Sequence, residues 1–156
     1  MSHTDDTAIA TESFLVSRTV TRCFRALDER HFDPEHFSIL FADAAEMVRP
    51  NGVPTVGPAA ISSSHERSFE RFEATQHLLS EHDLMLEGNT AVYRANLVAI
   101  HIWNDVPSDA PLADRTFTAG GVVTAVLVNT DRWRISRIEN RVVWRLGEFG
   151  NMAQTR

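Results

Sequence analysis

Asp28, His77 and His101 have side chains suited to proton transfer. An imidazole titrates at about pH 6.5, so it can serve as base or acid at neutral pH with little adjustment. His77 follows Thr75-Gln76 at the opening of an apolar-alternating segment and reads as such a base or acid; the alternative is a strand-start histidine bonded locally. His101 alternates with Leu97, Ala99 and Trp103, so period two points it where those apolar residues point. A buried imidazole requires a partner. Asp28, four residues after Phe24 beside the apolar stripe of the first helix, reads as that partner, because a carboxylate accepting from one ring nitrogen fixes the tautomer and makes the other nitrogen more basic. The same pair would equally serve as a structural tie between helix and sheet.

Around these groups the pattern supplies walls. Phe24, Ala99, Trp103 and Val123 fall on the same inward faces, and Asn140, flanked at period two by Ile138 and Val142, can reach a substrate oxygen. Phe149, beyond Trp144, is expected to cover the mouth from the C-terminal end. The remaining histidines of the body, His31, His36, His65 and His82, read as surface residues, and Tyr93 lies too far along its strand to share the site. The pocket histidines lack a helical HxxxH, so no metal site is expected, and the chemistry calls for no cofactor.

The elements that must position these residues are legible in the periodicity. Val16, Val20, Cys23, Phe24 and Leu27 recur at steps of three and four, predicting a helix over 12–30. Asp33-Pro34 opens a short second helix through Phe37 and Leu40. A brief strand over 45–49, a turn-rich connection through Asn51-Gly52 and Gly57-Pro58, and a third helix over 59–72 follow. Four segments then carry strand patterns: 75–86, 90–103, 116–129 and 132–146. Helices followed by long antiparallel strands predict an α+β fold, a cone-shaped barrel in which N-terminal helices pack on a curved sheet enclosing a pocket. A single domain is expected over 12–150, with a loosely attached N-terminus over 1–11 and a tail over 151–156.

Composition narrows the partners. The 156 residues carry a formal net charge of -6, which provides no global positive field for a nucleic acid backbone; Arg132, Arg134, Arg137, Arg141 and Arg145 read as a solvated strand face. No apolar run is long enough to span a membrane and the first residues are polar and acidic, so neither membrane nor secretion is expected. The lone Cys23 forms no internal disulfide, which favours the cytoplasm. Val92, Val98, Ile100, Ile102, Val122, Val126 and Val128 fall on the outer sheet face and predict a homodimer through the sheet.

Several segments in this order, Phe24-Arg25-Ala26-Leu27-Asp28, Phe41-Ala42-Asp43, Thr75-Gln76-His77, Gly120-Gly121 and Asp131-Arg132-Trp133-Arg134-Ile135, resemble SnoaL-like proteins of the nuclear transport factor 2-like superfamily. Within it the chain resembles scytalone dehydratase and bile-acid dehydratase, and the tail Trp144 to Phe149 resembles the dehydratase C-terminus. The resemblance implies that Asp28, His77 and His101 act around a substrate; it does not extend to the pocket tyrosines of those dehydratases. The expectation is a cofactor-independent lyase or isomerase, of dehydratase or cyclase type, acting on a small apolar polyketide-like or polycyclic molecule. A non-catalytic small-molecule-binding or assembly protein of the same fold is the alternative. An epoxide hydrolase reading lacks its Arg-x-Asp, since the strand reads Ala99-Ile100-His101.

Overall fold

In the computed structural model, which describes residues 3–147, three helices pack on one curved six-stranded sheet. Helix α1 spans His3–Asp28 and buries Val16, Val20, Cys23, Phe24, Ala26 and Leu27. It begins well before the expected residue 12. Apolar periodicity marks only where a helix packs, whereas once nucleated a helix extends at one hydrogen bond per residue, and Asp5 and Asp6 suit its positive end. Residues 3–11 are therefore helical, and they are also exposed.

The C-terminal end of α1 is built with unusual care. Arg30 adopts a left-handed φ of 58°, His31 N–H donates to Ala26 C=O (2.8 Å) and Arg30 N–H to Leu27 C=O (3.2 Å), a Schellman closure without glycine. The Arg30 side chain then donates to the carbonyls of Phe69 (2.9 Å) and Phe72 (2.5 Å). Those bonds tie the helix end that carries Asp28 to the start of the strand that carries His77.

Helix α2, Pro34–Leu40, is capped by Asp33, whose carboxylate accepts from His36 N–H (2.7 Å). Strand β1, Phe41–Val48, follows at once, starting four residues earlier than expected. Its pairing with the last strand shifts register between Phe41 and Glu46, which hides the strand period from the sequence. A three-residue edge strand β2, Pro54–Val56, lies within the stretch read as turns; proline is tolerated there because an edge strand leaves one side unpaired. Helix α3 covers Pro58–Phe69 and β3 covers Phe72–Glu87, so Phe72 opens a strand instead of closing a helix. Strands β4 (Thr90–Trp103), β5 (Thr116–Asn129) and β6 (Trp133–Gly147) complete the sheet, whose order is β2-β1-β6-β5-β4-β3. All neighbours are antiparallel except β1 and β6.

The core lies between the three helices and the inner sheet face. Phe37, Phe41, Ile61, Tyr93, Phe117, Val123, Leu127 and Ile135 are almost wholly buried there. The outer face of β4 and β5 alternates with it, as the pattern requires. Among the described residues, no helix is long and apolar enough to cross a membrane.

Candidate active site

Asp28 ends α1 on the side facing β3, and there it meets His77. The imidazole Nδ1 and Asp28 Oδ1 are 2.6 Å apart, the His77 backbone N–H donates to Oδ2 (2.9 Å), and the Thr75 hydroxyl donates to Oδ1 (3.0 Å). Burial pushes the Asp28 carboxyl up, but the side-chain and backbone hydrogen bonds from His77, electrostatic attraction to it and the Thr75 hydroxyl outweigh that, holding Asp28 below its ordinary value. Asp28 is thus a carboxylate at neutral pH. With Nδ1–H donated to it, His77 presents Nε2 as its free ring nitrogen. The His77 side chain is only 6% exposed, packed against Phe24 and Phe69.

The expected pairing of Asp28 with His101 is corrected by this geometry. His101 lies flat on Phe117, with ring centroids 4.0 Å apart and planes 6° off parallel, and its Nδ1 is buried with no hydrogen-bond partner among the described residues. Period two placed His101 on the correct face, but Asp28 lies over the first residues of β3, and the adjacent strand supplies the nearer imidazole. His101 is instead the next ring beyond His77, edge-on with centroids 6.2 Å apart. Burial, the neighbouring His77 and Arg71 lower it to about 4 against the opposing effects of a Phe117 backbone hydrogen bond and Asp28, so it is neutral at pH 7.

Both histidines border one cavity of about 190 Å³. Phe69, Phe72, Leu97, Ala99 and Phe117 supply its apolar wall, and Asn140 borders it from β6, its Oδ1 buried without a partner among the described residues. Phe24 lines a smaller adjoining recess together with Asn140 and also backs His77. Trp103 and Val123, expected as walls, do not line the cavity; they are core residues further along the inner face, 5% and 0% exposed. Phe149 lies outside the described residues.

A second polar group was not foreseen. His65, expected at the surface, is half-buried between α3 and β1, its Nε2 against the Met47 sulfur and its Nδ1 3.4 Å from Arg49. Burial, then Arg49 and His77, push it well below an ordinary histidine. The signal was present: Ile61, His65 and Phe69 follow at steps of four and share a helix face. Arg49, Arg71, Arg141 and Arg145 also border the cavity, so the last two are more than solvated strand face.

Residues 15–139 match the family of SnoaL-like domains. The chain belongs to that family. Solved structures similar to this SnoaL-like chain include a candidate scytalone dehydratase from Novosphingobium aromaticivorans, 22% identical over 92% of this chain and 91% of that one, with a TM-score of 0.76. A nuclear transport factor 2-like superfamily protein from Salmonella enterica is 17% identical over 91% and 96%, with a TM-score of 0.71. A hexachlorocyclohexane dehydrochlorinase, LinA type 2, is 12% identical over 96% and 95%, with a TM-score of 0.72. At these identities the likeness is one of fold. No curated protein matches the chain. Among the described residues of the SnoaL-like domain, no group of three His, Cys, Asp or Glu is placed to hold a metal ion.

Proposed function

We propose that this protein is a cofactor-independent acid-base enzyme whose base is His77, held and oriented by Asp28. The carrying observation is the three-bonded Asp28 carboxylate gripping His77 Nδ1 beside an aromatic-walled cavity. In a dehydration, His77 Nε2 would take a proton from the carbon beside a carbonyl, and Asp28 would stabilise the imidazolium so formed. The C–O bond to the leaving hydroxyl then breaks, and the same Nε2–H returns its proton to that oxygen, releasing water. One histidine serves both steps, because His101 is neutral at pH 7 and lacks a proton to give from Nδ1 while its ring bonds the Phe117 backbone. The Asn140 amide, at the cavity border, would offer an N–H to the carbonyl oxygen. Isomerisation and aldol-type cyclisation begin with the same proton abstraction, and a polyketide-like or polycyclic substrate suits the aromatic wall. The candidate scytalone dehydratase and the dehydrochlorinase of this fold are both named for eliminations, which agrees with the reading.

Exchange of the acidic C–H protons of 2-tetralone in D2O, followed by proton NMR, tests the base without the natural substrate. The wild type should exceed buffer catalysis, and His77→Ala should return the rate to background with its circular dichroism unchanged. A wild-type rate equal to buffer, or an undiminished rate in His77→Ala, would favour the non-catalytic binding or assembly role.

A further inference from the structure

The chain is acidic, with a formal net charge of -6, yet the cavity beside His77 is bordered by Arg49, Arg71, Arg141 and Arg145 and by no Asp or Glu among the described residues. Elsewhere five arginines have carboxylate partners, Arg25 with Glu29, Arg115 with Glu73, Arg132 and Arg134 with Asp131, and Arg137 with Glu46 and Glu139, while Arg18, Arg22, Arg67 and Arg94, which have none among the described residues, are exposed to solvent. None of the four at the cavity has a carboxylate partner among the described residues.

Two of them are organised as a pair. Arg49 Nη1 donates to the Ser68 hydroxyl (2.6 Å), and Arg71 Nε donates to the Ser68 carbonyl (3.0 Å), so one residue of α3 holds both guanidinium groups. The hydroxyl's proton is used as well, donated to Ser64 C=O (2.9 Å). Arg49 Nε is buried without a hydrogen-bond partner among the described residues, and Arg71 packs over the Phe72 ring with its carbon 5.6 Å from the centroid. Holding two like charges together in a partly dry site is unfavourable unless an anion joins them, and guanidinium groups match carboxylates in shape as well as charge. Burial and the repulsion of Arg71 and Arg67 already depress Arg49, the sign expected where a counter-charge is missing.

We infer that the cavity takes an aromatic carboxylate, its acid group held between Arg49 and Arg71 and its ring against Phe69, Phe72 and Phe117. This names a substrate class for the proposed acid-base site and rests on that reading for the reaction, but not for binding. The carboxylate fixes the acid end at the α3 side of the cavity, and the ring system then extends toward His77 and His101.

Calorimetric titration with 2-naphthoate and its neutral counterpart 2-naphthamide at neutral pH tests this. The acid should bind at least tenfold more tightly than the amide. Arg49→Met and Arg71→Met should each remove that preference while leaving amide binding within twofold, and Arg71→Lys should restore part of it. His77→Ala should keep the preference, so loss of turnover and loss of the anion site are read separately. Equal binding of acid and amide, no binding of either, or a preference that survives both methionine variants would overturn the inference.

Discussion

At the residue level the site depends on which imidazole the Asp28 carboxylate grips. Nδ1 of His77 lies 2.6 Å from Asp28 Oδ1, which sets the proton on Nδ1 and the lone pair on Nε2. An asparagine at position 28 can donate to Nδ1 instead, which transfers the ring proton to Nε2 and removes the base from the cavity. Asp28→Asn should therefore exchange the nitrogen-15 shifts of the two His77 ring nitrogens and slow tetralone exchange by about 10²–10⁴-fold. Retention of the wild-type tautomer and rate would remove Asp28 from the mechanism. The sequence showed that Asp28, His77 and His101 share an interior, because period rules assign faces. It did not show who pairs with whom, because partners are chosen by strand adjacency and by where α1 stops, and that stop is set by Arg30 through bonds to Phe69 and Phe72. His65 escaped for a different reason: on a helix rich in serine its apolar spacing was diluted by polar neighbours.

At the level of elements, long alternating strands were readable almost to the residue, and 90–103 and 116–129 match β4 and β5 at both ends. Irregular pairing was not. β1 is distorted between Phe41 and Glu46, and β5 with β6 shifts register between Gly120 and Gly121, where Trp144 and Val142 are the partners and Val143 is the additional residue. Such a bulge bends a strand, and here it lies at the cavity wall formed by Gly120, Gly121 and Val142. The two glycines are not equivalent. A methyl group on Gly121 would stand 2.4 Å from the Arg141 carbonyl, which is backbone within the sheet, whereas one on Gly120 would meet the half-exposed Trp144 indole, which can swing aside. Gly121→Ala should accordingly cost about 1–3 kcal/mol in urea denaturation, an overpacking penalty, and Gly120→Ala clearly less. Equal losses would show that the sheet yields at Gly121 as readily as the indole does at Gly120.

Across the whole molecule, enclosing imidazoles beside arginines couples the site to stability. His101 is lowered from 6.5 to about 4 by burial, His77 and Arg71, and an unfolded chain would restore its ordinary value. Between those two values the unfolded state holds a proton that the native state lacks, so folding stability falls as pH drops from about 6.5 to 4. The difference corresponds to about 3 kcal/mol for this one ring. His65 has the same sign, since burial and Arg49 also depress it. Asp28 acts lower: its folded value lies below the ordinary carboxylate range, so its stabilisation is complete above the unfolded carboxylate value and is lost only as pH falls through the folded one. Urea denaturation at intervals from pH 7 to 4 should show a steady loss, and His101→Phe, which retains an aromatic ring for Phe117 to pack on, should flatten the slope without abolishing it because His65 remains. The level of stability will shift with loss of the Phe117 hydrogen bond, but a constant offset does not alter the slope. Parallel profiles for wild type and His101→Phe would mean that the ring takes up its proton at the same pH in the folded and the unfolded chain, and the lowering of His101 by burial, His77 and Arg71 would be discarded.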